Sequence, residues 1–353
     1  MDYSPTHPLV PPADVAAWIE ALPRPVAVTG GTGFVGSHLV ETLCAAGLEP
    51  RVLVRDPESP RWIADAPVRW VPGSLGDVAA LKQLVDGAGA VLHLAGVVRA
   101  GSAADFDRGN RAGTANLVRA IRETAPEAWL VHVSSLAAAG PSPAPAGIGP
   151  EAEPAPVSHY GRSKLDAEHE LRALGKGTPW SIVRPPAIYG PRDTDVFEFF
   201  RMASRGLVAL PRGERWLTIA WVGDVVRSIL AAAAGESGGL YHLGDPEPMR
   251  LEELVRKLAE AGGVKARVLQ VPAALVSGLG TVGSGLQRLG FSRLALTRDK
   301  SRELLARHWT ARTEDSLAAL GVSGGTDFAD GAHRTWAWYR EQGWLTRPSH
   351  RDS

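Results

Sequence analysis

From Pro25 to about Arg184, short runs of β-branched and aliphatic residues alternate with longer stretches whose apolar positions recur every three or four residues. The short runs predict strands at Val26 to Thr29, Val52 to Arg55, Val68 to Val71, Ala90 to Leu94, Leu130 to Ser134 and Ser181 to Arg184. The longer stretches predict helices at Val35 to Ala46, Val78 to Val85, Phe106 to Glu123 and Tyr160 to Leu174. Strict strand and helix alternation predicts an α/β fold, a doubly wound parallel sheet with right-handed crossovers placing helices on both faces.

Two stretches interrupt the rhythm. Residues 140 to 158 are rich in Pro, Ala and Gly and too poor in large apolar side chains to form a core element, so they read as a loop over the site. After Pro185 the pattern changes, returning to the sheet only near Trp221 to Ala234 and Tyr241 to Leu243. The expected organisation is an N-terminal extension (1–24), a dinucleotide-binding domain (25–185, with 217–243 returning to it), a smaller C-terminal substrate-binding lobe (186–216 and 244–346) and a tail (347–353). In the extension, Asp14 is a candidate N-cap for an amphipathic turn (Val15, Trp18, Ile19, Leu22) that would pack on the surface. In the lobe, Leu275, Leu279, Val282, Leu286 and Leu289 form one apolar helical face among Gly, Ser and Thr. That face could line an apolar substrate pocket, touch a bilayer surface through 271–291, or simply pack.

Composition narrows the partners. In 353 residues, 38 Lys and Arg balance 38 Asp and Glu, so no global field draws nucleic acid or an anionic bilayer. One cysteine, Cys44, rules out an intrachain disulfide and reads as a small buried hydrophobe. With neither a secretory signal nor an apolar run of membrane-spanning length, the expected location is cytoplasmic. The ten histidines, among them His38, His93, His132, His159 and His169, show no metal-ligand spacing, and no metal is expected. Trp336, Trp338, Tyr339 and Trp344 read as a closing helix, not as a platform for nucleic-acid bases. Tyr189, Phe197 and Trp216 serve equally as pocket walls or core. A homodimer is compatible with all of this.

The sharpest local signal is Thr29-Gly30-Gly31-Thr32-Gly33-Phe34-Val35-Gly36, set between a predicted strand and a predicted helix. Glycine there permits the tight turn, leaves room for a pyrophosphate and lets helix and strand approach closely, while the helix N-terminus offers free N–H groups to phosphate. This is the Rossmann arrangement for a dinucleotide. Arg55 ends the second predicted strand, where a cation suits a 2′-phosphate, so NADP(H) is favoured over NAD(H); Asp56 follows directly, and a shift of one residue would reverse that preference.

Tyr160 and Lys164 stand four apart, on one face of a helix. An ammonium beside the phenol would lower its pKa and make it a usable acid or base. Ser134 and Ser135 close the fifth predicted strand and bring hydroxyls to the same region.

With TGGTGFVG (29–36), VRDP (54–57), HLAG (93–96), NRAGTANL (110–117), VSS (133–135), YGRSK (160–164), RPPAIYGP (184–191) and WVGDV (221–225) in order, the chain resembles the extended short-chain dehydrogenase/reductase superfamily. That branch holds sugar-nucleotide epimerases, 3β-hydroxysteroid dehydrogenases and dihydroflavonol-type reductases. The resemblance implies that Ser135 holds the reacting oxygen, Tyr160 exchanges its proton, Lys164 binds the nicotinamide ribose and tunes Tyr160, and Asn110 fixes the helix beneath. It also implies dinucleotide contacts from Gly30, Thr32, Gly33, Phe34, Val35, Gly36, Arg55, Ser74, Leu75, Leu94, Ala95, Gly96, Val133, Ser134, Tyr160, Lys164 and Pro185. Ser74 stands where the family often has an acid for adenine, which weakens that contact.

Three activities remain: ketone and secondary-alcohol interconversion on a hydrophobic substrate, nucleotide-sugar epimerisation or dehydration, and non-catalytic cofactor binding. Ala187 occupies the position where sugar-nucleotide enzymes usually carry an Asn for the substrate diphosphate, which favours the first.

Overall fold

The computed structural model describes residues 9–10, 12–172, 174, 177–235, 239–288 and 297–345, with the side chains of 12 and 284–288 left aside. Its strands are β1 (Val26–Thr29), β2 (Arg51–Val54), β3 (Arg69–Pro72), β4 (Ala90–His93), β5 (Trp129–Val133), β6 (Trp180–Arg184), β7 (Ala187–Tyr189), β8 (Leu207–Pro211), β9 (Trp216–Leu217), β10 (Ile219–Trp221), β11 (Gly239–His242), β12 (Met249–Arg250), β13 (Arg267–Val271) and β14 (His308–Trp309). The helices are α1 (Pro12–Ala21), α2 (Phe34–Ala45), α3 (Val78–Val85), α4 (Ala103–Asp107), α5 (Gly113–Thr124), α6 (Leu136–Ala139), α7 (His159–Arg172), α8 (Phe197–Ser204), α9 (Val222–Ala234), α10 (Leu251–Ala261), α11 (Ala273–Arg288), α12 (Arg298–Leu305), α13 (Glu314–Ala319) and α14 (Phe328–Glu341).

The central sheet has seven parallel strands in the order β11-β6-β5-β4-β1-β2-β3. Its strand residues alternate between two apolar layers, as a sheet covered on both faces requires. Val26, Val28, Val52, Leu92, Val131 and Val183 face a layer with Leu39, Leu43, Val226 and Ile229 of α2 and α9. Ala27, Leu53, Val91, Leu130 and Ile182 face Leu81, Leu84, Leu117, Ile121 and Leu171 of α3, α5 and α7. This is the doubly wound Rossmann-type fold expected, with strand ends shifted by a residue or so. Beyond it, Tyr189, Phe200, Leu254, Leu258, Trp336 and Tyr339 gather a second core, fringed by the short pairings β7 with β10, β8 with β13, and β9 with β12 and β14.

The structure revises four sequence expectations. The helix expected from Phe106 to Glu123 is split by a π-helical turn over Arg108–Ala112. There Asn110 turns inward to bond backbone and side-chain groups, and the helix widens to admit it. In α1, Asp14 lies in the first turn and is not the cap, and Val15, Ile19 and Leu22 are buried in the main core beside α9 and α2. Cys44 is only half-buried, its thiol near the Pro67 carbonyl at 3.7 Å, and burial pushes its pKa up to about 11.

The stretch 140–158 is a loop, as expected, and it is anchored. Ser142 and Ile148 donate backbone hydrogen bonds to the His308 and Thr310 carbonyls, and Ile148 accepts one from Arg312, so it is stitched to the segment after α12. Lastly, α11 turns its large side chains outward. Val276, Gly280 and Gly283 are buried, whereas Leu275, Leu279 and Val282 are 53, 53 and 61% exposed. A Cβ on Gly280 would lie 2.6 Å from Ser301 Oγ, so only a residue without a side chain fits against α12 there. The side chain of Leu286, and Leu289 altogether, lie outside the described residues.

Candidate active site

All the chemistry sits at the carboxyl ends of the central strands. After β1 the chain turns at Gly30, whose φ of +76° an L side chain rarely adopts; a Cβ there would also strike the Ala95 backbone nitrogen at 2.5 Å. A Cβ on Gly36 would come within 2.1 Å of the Gly30 carbonyl oxygen, so α2 can start against the turn only as glycine. The N-cap of α2 is Gly33, which makes no side-chain hydrogen bond, and a Cβ there would meet only the Gly30 oxygen, at 3.1 Å. The result is an open, uncapped helix N-terminus beside Thr32, Phe34 and Val35, the form that receives a pyrophosphate. The residues present therefore fit a dinucleotide.

The walls follow in strand order. Arg55 is the first residue past β2 and is exposed. Asp56, its neighbour, accepts the backbone N–H of Glu58 at 3.1 Å within its own turn. Ser74 and Leu75 follow β3; the Ser74 hydroxyl lies 3.3 Å from the Gly76 nitrogen, and the Leu75 carbonyl accepts a bond from Asn116. Leu94, Ala95 and Gly96 leave β4 across the turn, where the Ala95 N–H donates to Thr29 Oγ1 at 3.2 Å. Val133 ends β5, Ser134 and Ser135 follow it, and Pro185 follows β6, its carbonyl accepting the Leu136 N–H.

Ser135 is the N-cap of α6 and accepts the Ala137 N–H at 3.1 Å. Its hydroxyl faces the phenol of Tyr160 and works to lower the phenol's pKa. Lys164, one turn along α7, is buried and donates to the Val133 carbonyl at 2.8 Å; its Nζ would lie 3.8 Å from a Cβ on Gly96. Asn110 accepts from the Val97 N–H at 2.7 Å and donates to the Val97 carbonyl and to Ser163 Oγ, tying the loop after β4 to α7. The structure thus brings Ser135, Tyr160 and Lys164 together, with Asn110 beneath them.

One electrostatic expectation is reversed. Burial raises the Tyr160 pKa to about 12, the Ser135 hydroxyl works against this, and Glu303 and Asp195 push further upward. Burial also brings Lys164 down to about 8, opposed by Glu168. The ammonium is engaged by the Val133 carbonyl, and desolvation of the phenol sets the direction.

Two groups of residues escaped the sequence reading. Below the site, Ser134 and Arg184 both bond the carboxylate of Glu168, with Arg184 Nε at 2.8 Å and Nη2 at 2.6 Å; all three are buried. Above it, α12 grips the start of α7. Asp299 accepts the His159 N–H at 2.8 Å and that of Tyr160 at 3.4 Å, and Ser158 donates to Glu303 at 2.6 Å. An acidic residue sixteen positions before an arginine, or an Asp 140 residues away, carries no sequence signal of such a role. Of the proposed pocket walls, Tyr189 is buried against Trp221 and Phe328, and Phe197 packs on Tyr339 and Trp344, which makes both core. Trp216 is half-buried under Arg250.

A glycine turn uncapped for phosphate and a Ser, Tyr and Lys set at the ends of β5 and α7 define an NAD(P)-dependent enzyme of the extended short-chain dehydrogenase/reductase type. The family model "NAD dependent epimerase/dehydratase family" matches residues 26–244, and the chain belongs to that family. Among its relatives, a protein of Caulobacter vibrioides named "Ceramide reductase" is 35% identical over 327 residues, covering 91% of this chain and 96% of the relative. A ketoreductase of Stigmatella aurantiaca, named for 4-hydroxy-2-methyl-3-oxo-4-farnesyl-3,4-dihydroquinoline-1-oxide, is 30% identical over 306 residues, covering 84% and 91%. The structure of MoeE5 with UDP-glucuronic acid and NAD shares the fold at a TM-score of 0.73 and 24% identity, covering 90% of this chain and all of that one.

Proposed function

We propose that this enzyme reduces a ketone on a hydrophobic, lipid-like substrate to a secondary alcohol with NADPH. The observation that carries the reading is the meeting of Ser135, at the start of α6, with Tyr160 and Lys164, one helical turn apart on α7 and with Lys164 held by the Val133 carbonyl. When bound, the reduced dinucleotide supplies a hydride to the carbonyl carbon. Ser135 holds the carbonyl oxygen, and Tyr160 delivers the proton that the new alcohol oxygen needs. A phenol raised to about 12 stays protonated through the neutral range, which suits it to donate. Lys164 and the open N-terminus of α2 would hold the dinucleotide's ribose and phosphates.

Three further points support the cofactor and substrate. Asp56 spends its carboxylate on its own turn while Arg55 stands exposed at the strand end, which favours a 2′-phosphate. Ala187, exposed at the start of β7, has no amide to grip a substrate diphosphate. The two relatives carry a ceramide and a farnesylated quinoline oxide in their names, both hydrophobic.

Purified protein incubated with NADPH and a panel of keto-lipids and prenylated ketones tests the reading. Stoichiometric NADPH consumption and an alcohol product are expected. Isomerisation of a nucleotide sugar without net redox change, and no ketone turned over, would overturn it.

A further inference from the structure

The outward face of α11 has no role in the site just described. Leu275, Leu279 and Val282 stand on it at steps of four and three, each more than half exposed, while the buried side of the same helix is Val276, Gly280 and Gly283. An ordinary packing helix would be arranged the other way round. Upstream, β13 and its parallel partner β8 add exposed Leu269 and Leu207.

The charge around this face is one-sided. Between Glu260 and Asp299 the chain holds no acidic residue, yet residues 261–297 carry Lys265, Arg267, Arg288 and Arg293, in a protein whose charges balance overall. Lys265 and Arg267 are exposed at the start of β13. The described part of α11 offers no aromatic side chain to anchor a protein partner, only aliphatic residues among Ala, Gly, Ser and Thr. Among the described residues, no helix is long and apolar enough to cross a membrane.

We infer that α11 is a membrane-docking helix that lies on an anionic phospholipid bilayer, with Leu275, Leu279 and Val282 entering the acyl boundary and Lys265 and Arg267, just upstream, meeting the headgroups. The face is also connected to the chemistry. Gly280 of α11 packs directly on Ser301 of α12, and α12 holds the N-terminus of α7 through Asp299 and Glu303. A lipid leaving the bilayer at α11 therefore meets an element one helix removed from Tyr160.

The full chain mixed with vesicles of phosphatidylcholine, with and without phosphatidylglycerol, tests the inference by co-sedimentation. Binding is expected to require phosphatidylglycerol, to weaken in high salt, and to fall at least about tenfold in a Leu275→Glu, Leu279→Glu double variant. That variant should keep its thermal unfolding transition and its turnover of a water-soluble ketone. Wild-type protein that stays in the supernatant with anionic vesicles overturns the inference, as does a double variant that binds like the wild type. Self-association without lipid that the double variant abolishes would make the face an interface between copies and overturn it too. Vesicle binding needs no substrate, so it fails or succeeds separately from the ketone-reduction reading.

Discussion

Tyr160 and Lys164 lie one helical turn apart and are driven by burial in opposite directions along the pH scale, to about 12 and about 8. The group that titrates first as pH rises is therefore the lysine. Lys164 is charged below about 8, where its ammonium can hold a ribose, and neutral above it; the phenol remains a donor throughout. The expected kcat/KM for reduction is flat through neutrality and declines above about pH 8, and in Lys164→Arg the decline should move to much higher pH. A decline that stays put in that variant would assign it to another group. For Tyr160→Phe, turnover should fall about 10²- to 10⁴-fold with dinucleotide affinity nearly unchanged, measured by steady-state kinetics and by fluorescence titration of NADPH. Arg55→Ala should raise the KM for NADPH more than that for NADH; equal effects would count against a 2′-phosphate at the end of β2. These residues were legible because each belongs to a local motif: a glycine turn, a strand end, two residues four apart. The direction of the Tyr160 shift was not, because desolvation is set by what packs around the phenol, including Glu303 on an element 140 residues downstream.

Helices and strands differ in how much of them a sequence exposes. Of the six sheet strands before residue 185, β1, β2, β4, β5 and β6 were readable since their central residues are buried and mostly apolar, whereas the edge strand β3 buries only Val71. The π turn at Arg108–Ala112 was not, because its cause is the inward side chain of Asn110 bonding Val97 and Ser163, two distant segments. Nor was the outward face of α11, since periodicity finds an apolar stripe without saying which way it points. The grip of α12 on α7 is of the same kind, and it is testable. Asp299→Ala removes the acceptor for the first N–H groups of the catalytic helix and should cost about 0.5–2 kcal/mol of stability. Amide exchange at residues 159–161 should rise with it. If the variant leaves those amides protected and turnover intact, α12 plays no part in holding Tyr160.

Across the whole molecule, one buried and one partly buried ion pair join different elements. Glu168 and Arg184 link α7 to β6, with Ser134 as a third partner after β5. Glu168→Ala would leave a guanidinium buried without its counter-charge, and a loss of about 3–5 kcal/mol in urea unfolding is expected, against little change if the pair were solvent-relaxed. Arg192, held at φ +76° under Trp62, reaches back to Ser37 and Glu41 on α2 and so fastens the segment after β7 to the helix that rises from the glycine turn. Such long-range contacts are what a linear reading cannot supply, although the domain they hold together was visible from its strand rhythm. The same separation matters for α1. Val15, Ile19 and Leu22 are buried against α9, which is synthesised about 200 residues later, so at ribosomal speed the opening helix spends at least about 10 s with its apolar face uncovered. During that interval the nascent chain presents a hydrophobic segment well before most of its docking surface exists.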